Sequence, residues 1–252
     1  MPELPDVERF KRLLSANALR KTIERVEVSD ARILGKLSAR TFASRLRGAK
    51  LVAALRHGKH LMARIDRGGW LTLHFGLTGA LCFVRSRAEA PPFTRVRLDF
   101  AGEGSLAYTN KRMIGRVGLA ADAGEFIVHE RLGPDALDPL FDFAAFRAAV
   151  REVKRDVKSV LMDQEIIAGI GNIYSDEILY QARMNPAERI DRLAPGELKR
   201  LFRTMRAVLG KEGGLLLPQR RKGGRCPRCG APLKVFKLGG RTAYCCRRCQ
   251  GC

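Results

Sequence analysis

The 252-residue chain contains no run of about 18 apolar residues, the length that a membrane-crossing helix needs. Its start, Met1-Pro2-Glu3, lacks the basic opening of a secretory signal. A soluble protein of the cytoplasm, in a bacterium free or at the nucleoid, with no membrane partner, is therefore expected. Internal repeats and low-complexity tracts are also missing, and 46% hydrophobic residues mark a globular chain of one or two domains. Acid is scarce: 26 Asp and Glu face 47 Lys and Arg, for a formal net charge of +21. That imbalance favours a polyanionic partner, most often nucleic acid, although a ribosome-associated or membrane-surface protein fits it too. From Gly213 to Cys252 there is no acid at all against ten Lys or Arg. Cysteine is rare outside the same tail, where six of the seven lie between Cys226 and Cys252 and only Cys82 stands apart. Intracellular thiols stay reduced, so the tail cluster points to metal rather than to disulfides.

Residues 5–19 have the apolar spacing of an amphipathic helix (Val7, Phe10, Leu14), with Pro5 suited to its first position. Short strand-like runs follow at 23–28, 51–55, 60–65, 70–75, 95–100, 105–109 and 116–119, separated by turns such as Arg67-Gly68-Gly69 and Pro91-Pro92. One helix followed by about seven strands predicts a β-sandwich or barrel. After about residue 125 the pattern turns helical, with helices expected at 142–153, 156–163, 173–182 and 195–210. The expected architecture is α+β and multidomain: a β-rich domain over 1–125, a helical domain over 126–212 and a cysteine-bearing module over 213–252.

Two patterns carry chemistry. Cys226-Pro-Arg-Cys229 and Cys246-Arg-Arg-Cys249 are separated by sixteen residues, enough for a β-hairpin with a Gly239-Gly240 turn. Two such knuckles supply four thiolates to one tetrahedral, structural Zn²⁺ in a zinc ribbon; Cys245 and Cys252 are surplus. At the other end, removal of Met1 would make Pro2 a terminal secondary amine beside the Glu3 carboxyl. An α-amino group titrates near ~8, so a useful fraction is nucleophilic at neutral pH and can form a Schiff base with a sugar carbon. Glu3 is placed to move the protons. Taken alone, the bland readings come first: Pro2 just starts the chain, and Lys59 is an exposed lysine after a glycine turn.

With these patterns, the motifs Pro2-Glu3-Leu4-Pro5, Arg56-His57-Gly58-Lys59, His74-Phe75-Gly76-Leu77-Thr78-Gly79, Gly169-Ile170-Gly171-Asn172-Ile173-Tyr174 and Gly240-Arg241 in the ribbon occur in order. From Met1 to the tail the chain resembles the formamidopyrimidine-DNA glycosylase and endonuclease VIII family. Leu4, where the endonuclease VIII branch carries glycine, is closer to the formamidopyrimidine branch. The resemblance implies a bifunctional DNA glycosylase and abasic-site lyase of base excision repair, acting as a monomer on damaged double- or single-stranded DNA. It implies a helix–two-turn–helix element ahead of the zinc ribbon. Pro2 would attack the sugar, Glu3 would serve as general acid/base, and Lys59 would hold phosphate near the lesion. Lys158, Asn172 and Arg241 would contact the DNA backbone, and Arg112 would enter the space left by the extruded nucleotide. The bland readings of the same residues are a simple helix cap for Asn172 and a solvated side chain for Lys158. His74 takes a supporting place, buried and hydrogen-bonded rather than catalytic.

The chain departs from the family at Leu77, where methionine is usual, at Ile114, where phenylalanine is usual, and at Asp6, where glutamate is usual. Only fourteen residues separate Lys211 from Cys226, too few for the loop that closes over a flipped purine in the 8-oxoguanine branch. Efficient 8-oxoguanine excision is therefore not expected; oxidised pyrimidines, ring-opened purines, bulky adducts or crosslinks come forward instead. Two other readings compete: a non-catalytic DNA-binding paralogue that senses damage, and more remotely an RNA- or ribosome-binding zinc protein. Neither requires an amine-terminal Pro-Glu.

Overall fold

The computed structural model describes residues 2–211 and 213–252. Met1, whose removal would free the Pro2 amine, and Glu212, the expected last residue of the helical domain, lie outside the described residues. The chain divides into two compact units, one ending at Glu130 and the other spanning Arg131–Cys252. The architecture is α+β, as expected.

The first unit opens with α1 (Leu4–Asn17), whose apolar stripe of Leu4, Val7, Phe10 and Leu14 is buried. Eight strands follow: β1 (Ile23–Val28), β2 (Leu51–His57), β3 (His60–Ile65), β4 (Trp70–His74), β5 (Gly79–Val84), β6 (Thr94–Phe100), β7 (Gly104–Asn110) and β8 (Arg116–Ala120). They form two antiparallel four-stranded sheets, ordered β1-β6-β7-β5 and β2-β3-β4-β8. Side chains from both sheets (Leu61, Leu71, Leu73 and Leu81, Val96, Leu98, Leu106) share one core with α1. Burial of such aliphatic chains contributes roughly 1.5–3 kcal/mol each. Val96, Leu98 and Phe100 alternate inward as predicted, yet Arg97 and Asp99 between them are buried too. They satisfy one another: Arg97 Nε donates to Asp99 Oδ1 at 2.8 Å, Arg97 Nη2 to Glu27 Oε2 at 2.6 Å, and Ser105 Oγ to Asp99 Oδ1 at 2.7 Å.

The sequence reading missed β5 and two short helices, α2 (Ala39–Leu46) and α3 (Ala123–His129). Each helix is only about two turns long, too short to show a periodic stripe. Their side-chain caps define them instead: Ser38 Oγ accepts from Thr41 N at 3.0 Å, and Asp122 Oδ1 from Gly124 N at 2.7 Å.

The second unit holds α4 (Phe143–Val150), α5 (Val157–Met162), α6 (Asn172–Gln181) and α7 (Pro195–Leu209), then the hairpin β9 (Lys234–Leu238) and β10 (Arg241–Cys245), and a last turn, α8 (Arg247–Gln250). Asp142 and Asp156 cap α4 and α5. The central helix α6 is buried along nearly its whole length, including Ser175, Asp176 and Glu177. Such polar groups stay inside only when paired, and their partners organise the site. Glu177 accepts the backbone N–H groups of Leu215, Leu216 and Leu217 at 2.9, 2.8 and 3.0 Å. The short segment before Cys226 is thereby pinned, with Leu216 fully buried beside Tyr180, Cys226 and Cys246. Cys245 and Cys252, the surplus pair, form a disulfide across a Cα–Cα distance of 6.5 Å. The expectation of metal without disulfides in the tail is corrected here: α8 folds the chain end back against β10 and brings these two thiols together.

Candidate active site and nucleic-acid interface

In the first unit, Glu3 is the N-cap of α1 and is fully buried, while Pro2 stands just outside the helix and is partly accessible. Asp6 reaches back to accept the Glu3 backbone N–H at 2.9 Å, half of a capping box. The shorter aspartate therefore reaches the N-terminal backbone without glutamate's extra methylene. Fully buried Leu4 and Val7 anchor the same turn in the core.

Lys59 lies in the two-residue connection between β2 and β3, where His57 pairs with His60 and Gly58 adopts a left-handed φ of +55°. Arg56, at the end of β2, donates from Nε to Glu8 Oε2 at 2.8 Å and from Nη1 to the Gly58 carbonyl at 3.4 Å. One guanidinium thus ties the Lys59 turn to the helix that begins at Glu3. Burial opposes ionisation of Glu8, but hydrogen bonds from Lys11 and Arg56 outweigh it and hold its carboxyl below the usual range. His74 is half-buried and its ring lies 4.8 Å from that of His60. Burial, then the neighbouring His74, His57, Arg116 and Lys59, push the His60 pKa down to about 3, so both rings are neutral at pH 7.

Leu77, Arg112 and Ile114 come together on two adjoining loops. Arg112 N donates to Thr78 Oγ1 at 3.1 Å, and Asn110 Nδ2 to the Phe75 carbonyl at 3.1 Å. Gly76 has φ +57°, and a Cβ there would lie 2.6–2.8 Å from the backbone of Ile114 and Gly115. Only glycine lets the two loops touch backbone to backbone. Arg112 is exposed, Ile114 is 54% exposed and Leu77 is half-buried.

In the second unit the structure excludes the two bland readings and starts α6 at Asn172, as expected. Asn172 does not cap α6; Gly171 holds the N-cap position, and Asn172 is the first helical residue. Lys158 is not solvated: it is fully buried, with its ammonium on the Asp176 carboxylate. A lysine can be buried this deeply only against a counter-charge. Its Nζ also donates to the carbonyls of Asn172 at 3.5 Å and Thr242 at 3.4 Å. Arg220, which the sequence reading passed over, completes the arrangement: Nε donates to Asp176 Oδ2 at 2.9 Å and Nη2 to the Asn172 carbonyl at 3.1 Å, with the guanidinium 5.0 Å from the Tyr244 ring. The start of α6 and the hairpin strand carrying Arg241 and Thr242 are thus joined through one ammonium, which the Asp176 carboxylate holds. Arg241 itself is exposed and opens β10. The Asn172 Oδ1 atom is buried with no hydrogen-bond partner among the described residues.

Cys226, Cys229, Cys246 and Cys249 converge, their sulfurs all within 4.8 Å of one another. The Cys226–Cys249 and Cys229–Cys246 sulfur separations are 3.8 and 3.5 Å. Ligands ~2.3 Å from a tetrahedral ion stand ~3.8 Å apart, so this quartet fits a metal.

Comparison with known proteins agrees with this geometry. The family model described as the formamidopyrimidine-DNA glycosylase N-terminal domain matches residues 1–117, and that of the formamidopyrimidine-DNA glycosylase H2TH domain matches residues 132–213. The formamidopyrimidine-DNA glycosylase of Moorella thermoacetica is 37% identical, over 93% of this chain and 94% of its own length. That of Thermomicrobium roseum is 35% identical, over 99% of both chains. Among solved structures, the Lactococcus lactis enzyme bound to DNA containing an abasic site superimposes with a TM-score of 0.89 at 26% identity, covering 99% of each chain. No helix among the described residues is long and apolar enough to cross a membrane. The chain belongs to the formamidopyrimidine-DNA glycosylase family of base-excision-repair enzymes.

Proposed function

We propose that Pro2 is the nucleophile of this DNA glycosylase and abasic-site lyase, acting once Met1 has been removed. The amine attacks the sugar anomeric carbon of an extruded nucleotide, and the glycosidic bond to the damaged base breaks. A secondary amine yields a cationic iminium, an electron sink that acidifies the neighbouring sugar C–H. Loss of that proton expels the 3′ phosphate, and a second elimination releases the 5′ side. Glu3, buried at the N-cap beside Pro2, moves the protons. The observation that carries this reading is the start of α1: the capping contact from Asp6 and the buried Leu4 fix Pro2 at a helix entrance beside a carboxyl.

Lys59, Arg112, Asn172 and Arg241 are the DNA contacts we assign, with Leu77 and Ile114 at the duplex distortion. Lys158 is a positioning residue that acts through Asp176 and Asn172. His74 supports the Lys59 turn. The cysteine quartet holds Zn²⁺, which shapes the ribbon and takes no part in the reaction. The protein works as a monomer in the bacterial cytoplasm or nucleoid, on double- or single-stranded DNA.

Borohydride trapping on abasic DNA tests the amine chemistry, with a covalent adduct at Pro2 expected. Absence of an adduct from protein with a verified Pro2 terminus, on both duplex and single strand, overturns it. Glu3→Gln should abolish base excision while sparing much of the abasic cleavage.

A further inference from the structure

Phe93 sits in a conformation and a setting that the fold does not require. It occupies the third position of the turn Pro91–Thr94, closed by Thr94 N and Oγ1 donating to the Pro91 carbonyl at 3.3 and 2.6 Å. Its φ is +64°, a region where turns normally carry glycine and where a bulky residue is an outlier. The ring is nevertheless large, apolar and 46% exposed.

Two cations face it. The Arg95 guanidinium lies 5.9 Å and the Lys111 ammonium 5.5 Å from the ring centroid. The backbone is held as firmly as the side chain is exposed: Asn110 N donates to the Phe93 carbonyl at 3.0 Å, and Arg95 Nε to the Asn110 carbonyl at 3.0 Å. The register of β6 on β7 shifts between Thr94 and Val96, the two neighbours of Arg95. Asn110 and Lys111 lead directly into Arg112 and Ile114, so the ring is mounted on the same backbone as the Arg112 loop.

We infer that Phe93 is a stacking platform for an unpaired nucleobase of bound DNA, with Arg95 and Lys111 neutralising the adjoining phosphates. An aromatic face flanked by cations is the chemistry that holds unpaired bases without reading their sequence. An apolar protein partner would have to bury both charges. At φ +64° the ring projects from the turn, and strain of this kind gathers at binding sites. The inference rests on the DNA reading above and adds to it a base-binding position.

The test uses a duplex with 2-aminopurine opposite a tetrahydrofuran abasic analogue. Wild-type protein should quench the 2-aminopurine fluorescence on binding. Phe93→Gly should remove the quenching and weaken binding about tenfold, the scale of one lost base–aromatic contact. Its thermal unfolding should be no earlier than that of wild type, since glycine suits the turn. Phe93→Tyr should keep both quenching and affinity. Equal losses in the two variants, or a Phe93→Gly protein that quenches and binds as wild type does, overturn the platform. Borohydride trapping of wild-type protein runs in parallel. An adduct without any Phe93 effect sinks the platform alone; quenching without an adduct sinks the amine chemistry and leaves the platform standing.

Discussion

Arg56 and Glu8 meet across 48 residues of chain at 2.8 Å, and the contact joins the turn presenting Lys59 to the helix that Glu3 caps. The Arg56 side chain is 9% exposed, so it has little water to fall back on. Glu8→Gln should therefore lower the rate of borohydride trapping at saturating DNA by about tenfold or more, since small displacements of a reacting group are costly. Affinity for an uncleavable abasic analogue should change much less. A matching loss of both would make the pair a general stabiliser rather than an aligner of Lys59 and Pro2.

Asp176 is a shared counter-charge for Lys158 and Arg220. Replacing it by asparagine leaves two buried cations uncompensated. Breaking a buried pair in this way costs about 3–5 kcal/mol. Chemical denaturation of Asp176→Asn should show a loss on that scale. Lys158→Met combined with Asp176→Leu should recover part of it, because one cation, Arg220, rather than two then lacks its counter-charge. If the single substitution is neutral, the pairing does not organise the start of α6.

The stability should depend on pH through His60. Its folded pKa is about 3 against an ordinary value near ~6.5, because burial and neighbouring cations disfavour the imidazolium. Between those values the unfolded chain binds a proton that the folded chain refuses. Stability from this residue is complete above about pH 6.5 and is lost as pH falls, at about 1.4 kcal/mol per unit. Urea unfolding at pH 7 and pH 5 should show wild type losing about 2 kcal/mol more than His60→Leu over that interval. Parallel slopes in the two proteins would remove His60 from the account.

The metal should leave by one route only. The Cys245–Cys252 disulfide stands outside the quartet of Cys226, Cys229, Cys246 and Cys249. Reducing it with a non-chelating phosphine should leave zinc bound by mass spectrometry. Cys226→Ser, or a strong chelator, should release the ion and weaken DNA binding through the hairpin that carries Arg241. Zinc loss on reduction alone would mean that the two cysteine systems share ligands.

The segment before Cys226 should decide substrate range. With Leu215, Leu216 and Leu217 fastened to Glu177, little of it is free to fold over a purine. On single-lesion oligonucleotides, excision of 8-oxoguanine should be slower than that of oxidised pyrimidines or ring-opened purines. Comparable rates would show that closure over the base comes from elsewhere.

Much of this was legible in the sequence because the signals were local. The stripe of Val7, Phe10 and Leu14, the alternation in β6 and the cysteine spacing each announce their structure within a few residues. The burial of Lys158 is not legible in the sequence because a lysine's solvation depends on what packs over it, and its partners Asp176 and the Thr242 carbonyl lie 18 and 84 positions away. Arg220 was hidden in a basic stretch where no single cation stands out. Phe93 was passed over because a turn residue's φ is visible only once the chain is folded.

The seam at Gly76 has a consequence for how such an enzyme can diversify. Where two loops meet through backbone and the Thr78 and Asn110 side chains, the seam does not draw on the side chains of residues 77, 112 and 114. Residues 77, 112 and 114 can then be exchanged without reshaping the surface that presents them. A single methyl group at Gly76, by contrast, would displace all three at once.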